Sequence, residues 1–303
     1  KVFICIYLLV PSMKINTDGT RRYIHMKTFS IDLKEFYGTE GGKLTAILSD
    51  SPHDAADLTE KWKRPAVVVV PGGAYSFVSK REGEPIAQAF LARGFQAFIL
   101  EYLVSGDEIS YPEQLTELAA AVDYVKKHAD EMHVNAKEVF AVGFSAGGHL
   151  VGDLATEWQN IESVTGKKLD CSLAATGLCY PVISSKAGHV YSYDNLLCDY
   201  TPEAREEVMK KLDLNRAVTE NTPPSFLWTT AADSCVPSEN TLLYALELAK
   251  RKIPYELHVY PECDHGASTG AYEINSEYAP LRRLSRWLDD CSYFFHLFTE
   301  EKF

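Results

Sequence analysis

Three side chains suited to nucleophilic catalysis occur along the chain in the order Ser145, Asp233, His265. A serine hydroxyl attacks a carbonyl carbon well only when a base takes its proton, and a carboxylate can orient that base. The serine lies in the run Gly143-Phe144-Ser145-Ala146-Gly147, whose glycines permit a tight, strained turn that exposes the hydroxyl. We therefore predict a nucleophile, an orienting acid and a general base at these three positions.

The segments around these residues predict how the chain would bring them together. An apolar segment at residues 139–142 predicts a buried strand before the serine, and apolar residues at helical spacing follow it. Residues 225–230 and 255–260 predict strands that end just before the aspartate and the histidine. All three side chains would then lie in loops at the carboxyl ends of strands, where open α/β sheets bind ligands.

Other titratable residues are weaker candidates. Asp264 is adjacent to His265, and neighbouring residues in a loop rarely face one another, so the upstream aspartate is the better orienter. His258 lies inside a predicted strand, which favours a packed or hydrogen-bonded structural role. His149 follows the serine on the same predicted helix and is expected to pack beneath the site. His189 lies in an irregular segment, where contact with a substrate stays open.

Acyl transfer also needs hydrogen-bond donors for the developing oxyanion, and fixed backbone amides serve well because they need no reorganisation. Ala146, at the start of the predicted helix, offers one such amide. The run Pro71-Gly72-Gly73-Ala74-Tyr75 follows a predicted central strand and offers the amides of Gly73 and Ala74. An ordinary Gly-Gly turn is the alternative interpretation. Tyr75 is predicted to form a wall of the substrate pocket, with a packed aromatic as the alternative.

Strand and helix patterns alternate over most of the chain and predict an α/β fold. The apolar run at residues 66–70 suits a central strand buried on both faces. The first two strands are expected to form an antiparallel edge pair, and the whole a mostly parallel, doubly wound sheet with helices on both faces. The predicted strands are residues 27–33, 43–49, 66–70, 96–102, 139–143, 174–180, 225–230 and 255–260. The predicted helices are residues 84–93, 112–129, 146–158, 238–251 and 276–289.

Residues 182–224 interrupt this alternation and are too long for a simple connection between two strands. We predict a small cap insertion there, over the carboxyl edge of the sheet. Within it, the charged residues 202–211 predict a helix with a solvated face. We expect residues 26–303 to form a single domain of this kind, preceded by an N-terminal extension of uncertain role at residues 1–25.

Composition narrows the class of protein further. The chain has 303 residues, 46% of them hydrophobic, and a net charge of −12, which disfavours nucleic acid as a partner. Its seven cysteines are scattered without a C-x-x-C pair or zinc-ligand spacing, which suits reduced thiols and a cytoplasmic location. The apolar residues 2–10 are too short to span a membrane. A secreted protein is the alternative, if residues 1–12 are a truncated signal segment.

These motifs resemble those of the α/β-hydrolase superfamily, specifically its acetylesterase-like branch of sugar-ester hydrolases, acetylxylan esterases and feruloyl-esterase-related enzymes. Residues 71–75 resemble the oxyanion motif H/P-G-G-G-[YW], and residues 143–150 match G-F-S-A-G-G-H-L. Residues 222–237 and 258–266 are similar to the acid and histidine loops. The likeness covers residues 66–288. Many relatives have His at position 71 and Gly at position 74. Because Ala74 keeps its backbone N–H, the oxyanion hole is preserved unless position 74 requires a positive φ.

The resemblance implies hydrolysis of short acyl esters, acetyl above all, of small carbohydrates such as acetylated xylo-oligosaccharides. It implies no metal and no organic cofactor, and a small-molecule ester as the partner, with no nucleic acid or membrane. The oligomeric state stays open. Two alternatives remain: a serine peptidase of the prolyl-oligopeptidase type, and a non-catalytic binding protein with a hydrolase fold.

Overall fold

The computed structural model describes residues 10–15, 21–53, 56–272, 274–275 and 283–300. Within these ranges the chain alternates strands and helices along most of its length. The strands are β1 (Val10–Ile15), β2 (Arg21–Asp32), β3 (Lys43–Leu48), β4 (Arg64–Val70), β5 (Gln96–Glu101), β6 (Val134–Phe144), β7 (Thr176–Cys179), β8 (Ser225–Thr230) and β9 (Tyr255–Tyr260). The helices are α1 (Leu33–Tyr37), α2 (Ala56–Lys61), α3 (Glu84–Leu91), α4 (Glu113–Lys127), α5 (Ala146–Glu157), α6 (Ile161–Thr165), α7 (Tyr191–Leu196), α8 (Pro202–Leu212), α9 (Leu214–Ala217), α10 (Glu239–Arg251) and α11 (Trp287–His296).

These strands form a single mixed sheet in the order β1-β2-β3-β5-β4-β6-β7-β8-β9. Strands β1, β2, β3 and β5 pair antiparallel, and β5, β4, β6, β7, β8 and β9 run parallel. Strand β4 has β5 on one side and β6 on the other. The connection after β4 leads to β5, and the connection after β6 leads in the opposite direction to β7. The loops that follow β4 and β6 therefore meet at the carboxyl edge, where such sheets bind ligands. Val70 at the end of β4 pairs with Gly143 near the end of β6.

The sheet is covered by helices on both faces, which confirms the predicted α/β class. Alternate residues of β4 point to opposite sides and are fully buried. Val68 and Val70 belong to a core shared with α4, α5 and α10, and Val67 and Val69 to a core shared with α3 and α11. A strand buried on both faces needs the continuous apolar run that this segment has.

The structure corrects two details of the predicted elements. The antiparallel pairing of the first two predicted strands is confirmed, but β1 pairs with β2 on its outer side, so that pair is not the edge of the sheet. The predicted helix at residues 276–289 ends too early. Residues 276–282 lie outside the described ranges, Leu284–Arg286 form a 3₁₀ turn, and α11 begins at Trp287 and continues to His296, beyond the predicted end at residue 289. In the part of the chain that is described, no helix is both long and apolar enough to cross a membrane.

The segment predicted as a cap contains the three helices α7, α8 and α9 and touches the carboxyl edge of the sheet. The side-chain amide of Asn195 on α7 donates to the carbonyl oxygen of Ala74, in the loop after β4, at 2.8 Å. Most of α8 is exposed, and its Lys210 lies 2.6 Å from Glu207. Helix α8 is thus the solvated charged helix that its sequence predicted.

Candidate active site

The turn that carries Ser145 joins strand β6 directly to helix α5. Ser145 has φ 53° and ψ −117°, a conformation that L-residues rarely adopt, so the turn is strained. A Cβ atom at Gly143 would lie 2.2 Å from the carbonyl oxygen of Gly147, and one at Gly147 would lie 2.2 Å from that of Val70. Only glycine lets the chain turn this closely against its own backbone and against β4.

The structure brings Ser145, Asp233 and His265 into one hydrogen-bonded row. The Oγ atom of Ser145 lies 2.8 Å from Nε2 of His265, whose Nδ1 lies 2.7 Å from Oδ2 of Asp233. Because a carboxylate only accepts, Nδ1 carries the proton and Nε2 is left to accept the serine hydroxyl. The other carboxylate oxygen of Asp233 accepts from the amides of Cys235 at 3.0 Å and Val236 at 2.8 Å, which fixes the carboxylate.

Burial differs along this row in the way the chemistry needs. The Asp233 side chain is 1% exposed and that of His265 is 19% exposed. The carboxylate is therefore shielded from water, whereas an edge of the imidazole remains accessible to a substrate.

Asp264 does not orient the imidazole, although it is adjacent to His265. Its Oδ1 accepts from the amide of His265 at 2.8 Å and from the amide of Ser234 at 3.0 Å. Those hydrogen bonds tie the histidine loop to the loop that follows β8, and they lower the pKa of Asp264. The Ser234 hydroxyl also donates to Asp264, at 2.9 Å, so the contacts of this carboxylate join the two loops and leave the imidazole to Asp233.

The rival histidines lie outside the row. On β9, Nε2 of His258 lies 2.7 Å from a carboxylate oxygen of Glu256, as expected for a structural histidine. His189 lies nearer the site: its Nδ1 is 3.7 Å from Sγ of Cys235, in the loop that carries Asp233. Burial, and then the charge of His265, lower the pKa of His189.

The loop after β4 approaches the serine closely and carries the other predicted oxyanion donors. A Cβ atom at Gly72 would lie 2.9 Å from Cβ of Ser145. The described residues offer no hydrogen-bond acceptor to the amides of Gly73, Ala74 and Ala146. A backbone N–H without a partner beside a nucleophile is available to a ligand oxygen.

Position 74 does have a positive φ, the one condition that the sequence left open. The φ values of Gly73, Ala74 and Tyr75 are 129°, 52° and 58°. The left-handed region costs a residue with a Cβ about 1–2 kcal/mol, so Ala74 is strained where many relatives have glycine. Its carbonyl accepts from Asn195, which helps to hold this conformation.

Tyr75 does not line a pocket as the sequence suggested; the packed alternative describes it. The residue is 1% exposed, and its hydroxyl lies 2.9 Å from Nδ1 of His149. Nε2 of His149 lies 2.9 Å from the carbonyl oxygen of Leu212, which can only accept, so Nε2 carries the proton and Nδ1 accepts from Tyr75. Burial lowers the pKa of His149 to about 4, which keeps this ring neutral beneath the site.

Sequence reasoning missed a buried acid beside the oxyanion loop. Glu82 is 4% exposed, and one of its carboxylate oxygens accepts from the amide of Gly72 at 2.9 Å. The other accepts from the hydroxyl of Tyr180 at 2.6 Å, and the Tyr180 ring meets that of His265 edge to face at 5.0 Å. In the sequence, Glu82 is one charge among its neighbours Lys80, Arg81 and Glu84, so no local signal distinguishes it.

Together, the sheet order, the strained serine between β6 and α5, and the three aligned side chains define an α/β-hydrolase. More specifically, the chain belongs to the BD-FAE family, whose model matches residues 56–248; this is an α/β-hydrolase esterase family. The resemblance noted in the sequence is thereby confirmed.

The chain is also similar to individual named proteins. The chain is 33% identical to an endo-1,4-beta-xylanase B of Butyrivibrio fibrisolvens over 71% of its own length and 34% of that protein. It is 27% identical to an acetylxylan esterase of Xylanibacter ruminicola over 81% of its own length and 50% of that protein. It thus spans half or less of these curated relatives. The crystal structure of an acetyl ester-xyloside bifunctional hydrolase from Caldicellulosiruptor lactoaceticus superposes with a TM-score of 0.70 at 29% identity, covering 85% of this chain and 88% of that one.

Proposed function

We propose that the protein is a serine carboxylesterase that hydrolyses short acyl esters through an acyl-serine intermediate. The observation that carries this proposal is the row from Ser145 through His265 to Asp233, at 2.8 and 2.7 Å, beside backbone amides that have no partner among the described residues. A nucleophile, a base in the correct tautomer and preorganised donors are what acyl transfer requires.

In the first half of the reaction, Nε2 of His265 takes the hydroxyl proton while Oγ of Ser145 forms a bond to the ester carbonyl carbon. The carbonyl oxygen becomes an oxyanion and accepts from the amides of Gly73, Ala74 and Ala146. The C–O bond to the alcohol then breaks, and Nε2 returns the proton to the departing oxygen. Asp233 stabilises the transient imidazolium through its bond to Nδ1.

In the second half, His265 removes a proton from a water molecule that attacks the acyl carbon. The same amides hold the second oxyanion, and the bond between Oγ and the acyl carbon breaks as Nε2 protonates Ser145. The carboxylic acid leaves and the resting row is restored.

The substrates we propose are acetyl esters of small carbohydrates, such as acetylated xylo-oligosaccharides. Support comes from the names of the relatives, among them an acetylxylan esterase and an acetyl ester-xyloside hydrolase. The net charge of −12 also favours a neutral acylated sugar as substrate, because the protein would repel a polyanion.

The test compares hydrolysis of p-nitrophenyl acetate, butyrate and octanoate, and acetate release from acetylated xylobiose, with Ser145→Ala as control. We expect kcat/KM to fall with acyl length, and the variant to lose at least about 1,000-fold because the nucleophile is gone. Ester hydrolysis equal in the variant and the parent would overturn the esterase proposal. If the protein cleaved peptides but not esters, the result would favour a peptidase.

A further inference from the structure

We infer that Glu82 is a positioning residue that locks the oxyanion loop to the histidine loop, so that donors and base keep their relative placement; this inference rests on the proposed esterase function. Glu82 lies in the short 3₁₀ turn Lys80–Glu82, which lies between the oxyanion loop and α3. It touches none of the reacting groups directly.

The first half of this link runs to the oxyanion loop. The amide of Gly72 donates to Glu82 at 2.9 Å, and the carbonyl of Gly72 accepts from the amide of Ser79 at 2.9 Å. Both backbone groups of the residue before Gly73 are thus held by the segment that carries Glu82. A small shift at Gly72 would move the neighbouring amides of Gly73 and Ala74, whose placement sets the strength of an oxyanion site.

The second half runs to the histidine loop through Tyr180. The Tyr180 hydroxyl donates to Glu82 at 2.6 Å and accepts from the amide of Ser268 at 3.0 Å, three residues after His265. The same ring packs against the imidazole in an edge-to-face arrangement. Tyr180 itself has φ 37°, so an uncommon backbone conformation is maintained at this contact.

Further hydrogen bonds join the same two segments. The Ser268 hydroxyl donates to the carbonyl oxygen of Arg81, and the Arg81 guanidinium donates to the side chain of Asn275 at 2.9 Å. Asn275 in turn donates to the carbonyl oxygen of Ala267 at 2.8 Å. Among the residues that the structure describes, however, only Glu82 joins the oxyanion loop to Tyr180 through one side chain.

A carboxylate suits this position because both donors approach a group that only accepts. The described residues provide no salt-bridge partner for Glu82, so its buried carboxylate depends on these two donors. In Glu82→Gln, the amide oxygen can still accept from Gly72, but the amide nitrogen cannot accept from the Tyr180 hydroxyl, whose oxygen already accepts from the amide of Ser268. The Tyr180 O–H thus loses its acceptor without a change in side-chain size.

The experiment measures kcat and KM for p-nitrophenyl acetate in the parent, Glu82→Gln, Tyr180→Phe and the double variant, with active sites counted by a serine-reactive phosphonate. Counting sites separates misfolded protein from slow protein. Glu84→Gln is the matched control, because it makes the same change two residues away at an exposed position. We expect Glu82→Gln to lower kcat per titrated site about 10- to 100-fold with KM nearly unchanged, less than the loss for a deleted oxyanion donor. The double variant should lose little beyond Glu82→Gln alone, because both changes break one link.

Two results would overturn the inference: kcat per site in Glu82→Gln within about twofold of Glu84→Gln, or fully additive losses in the double variant. If Glu82→Gln does not fold, Tyr180→Phe alone decides, since it keeps the ring against His265 and removes only the hydroxyl link. A parent without ester hydrolysis above Ser145→Ala would instead overturn the proposed function.

Discussion

At the scale of single residues, the site depends on which atoms can only accept. The Asp233 carboxylate fixes the proton of His265 on Nδ1, and the Leu212 carbonyl fixes that of His149 on Nε2. One imidazole is thereby left able to accept from Ser145, and the other accepts from a buried tyrosine. The partners of a histidine, more than its place in the sequence, decide what it can do.

Asp233→Asn should lower kcat about 10,000-fold, because an amide nitrogen facing Nδ1 favours the tautomer with the proton on Nε2. Asp264→Asn is the control, since Asp264 lies beside the same histidine but accepts only from its backbone and from Ser234. We expect kcat of Asp264→Asn to fall by less than about tenfold. Ester kinetics on both variants would contradict the assignment of the orienting acid if Asp264→Asn were the more damaging change.

At the scale of elements, the site depends on how closely α5 approaches β4. The carbonyl oxygens of Val70 and Pro71 would lie 2.2 and 2.4 Å from a Cβ at Gly147. Further along the same helix, a Cβ at Gly152 would meet the end of the Leu214 side chain at 2.6 Å. The backbone cannot move aside as the end of a side chain can. Replacing Gly147 by a larger residue should therefore cost more folding stability than replacing Gly152.

Gly147→Ala should destabilise the fold by about 3 kcal/mol, because α5 must move away from β4. In Gly152→Ala, the rotation of Leu214 is offset by a gain of about 0.5–1 kcal/mol in helix propensity, so stability should change little. Denaturant unfolding measures both free energies. Equal losses at the two positions would show that the approach of α5 to β4 is not what requires glycine.

At the scale of the whole molecule, His149 connects the core of the sheet to the cap segment. It lies on α5, contacts Tyr75 of the oxyanion loop and donates to Leu212 at the end of α8. Protonation of Nδ1 would break the bond from Tyr75 and place a charge in a fully buried position. The site and the cap are therefore both coupled to the neutral state of this ring.

The stability contributed by a neutral His149 should be complete above about pH 6.5, the value for an unfolded chain. It should be lost as the pH falls toward the folded pKa of about 4, because the unfolded chain binds the extra proton in that window. Between pH 7 and 4.5 the parent should lose about 2–3 kcal/mol more unfolding free energy than His149→Asn. The same substitution at the exposed His53 is the control. A parent-to-variant difference that stays constant with pH would contradict this role.

Most of the strands of the sheet and the three aligned residues could be predicted from the sequence alone. Local patterns suffice for this: an apolar run such as residues 66–70 has few ways to be buried, and a strained turn such as that at Ser145 needs glycines close by. The carboxyl ends of parallel strands lie at one edge of a sheet. Because Asp233 and His265 each follow a predicted strand, they could be expected to lie near the serine.

The buried polar and aromatic side chains, and the residues that they contact, could be identified only from the three-dimensional structure. Tyr75 lies in the oxyanion loop and Glu82 follows it closely in sequence, and both are buried because distant residues such as His149 and Tyr180 complete their hydrogen bonds. Burial of a polar group is stable only when such partners exist, and partners far away in sequence leave no local pattern. For the same reason the end of α11 at His296 could not be taken from its own residues: the buried Phe294 and Phe295 near that end belong to a core that includes residues of β4 and β6.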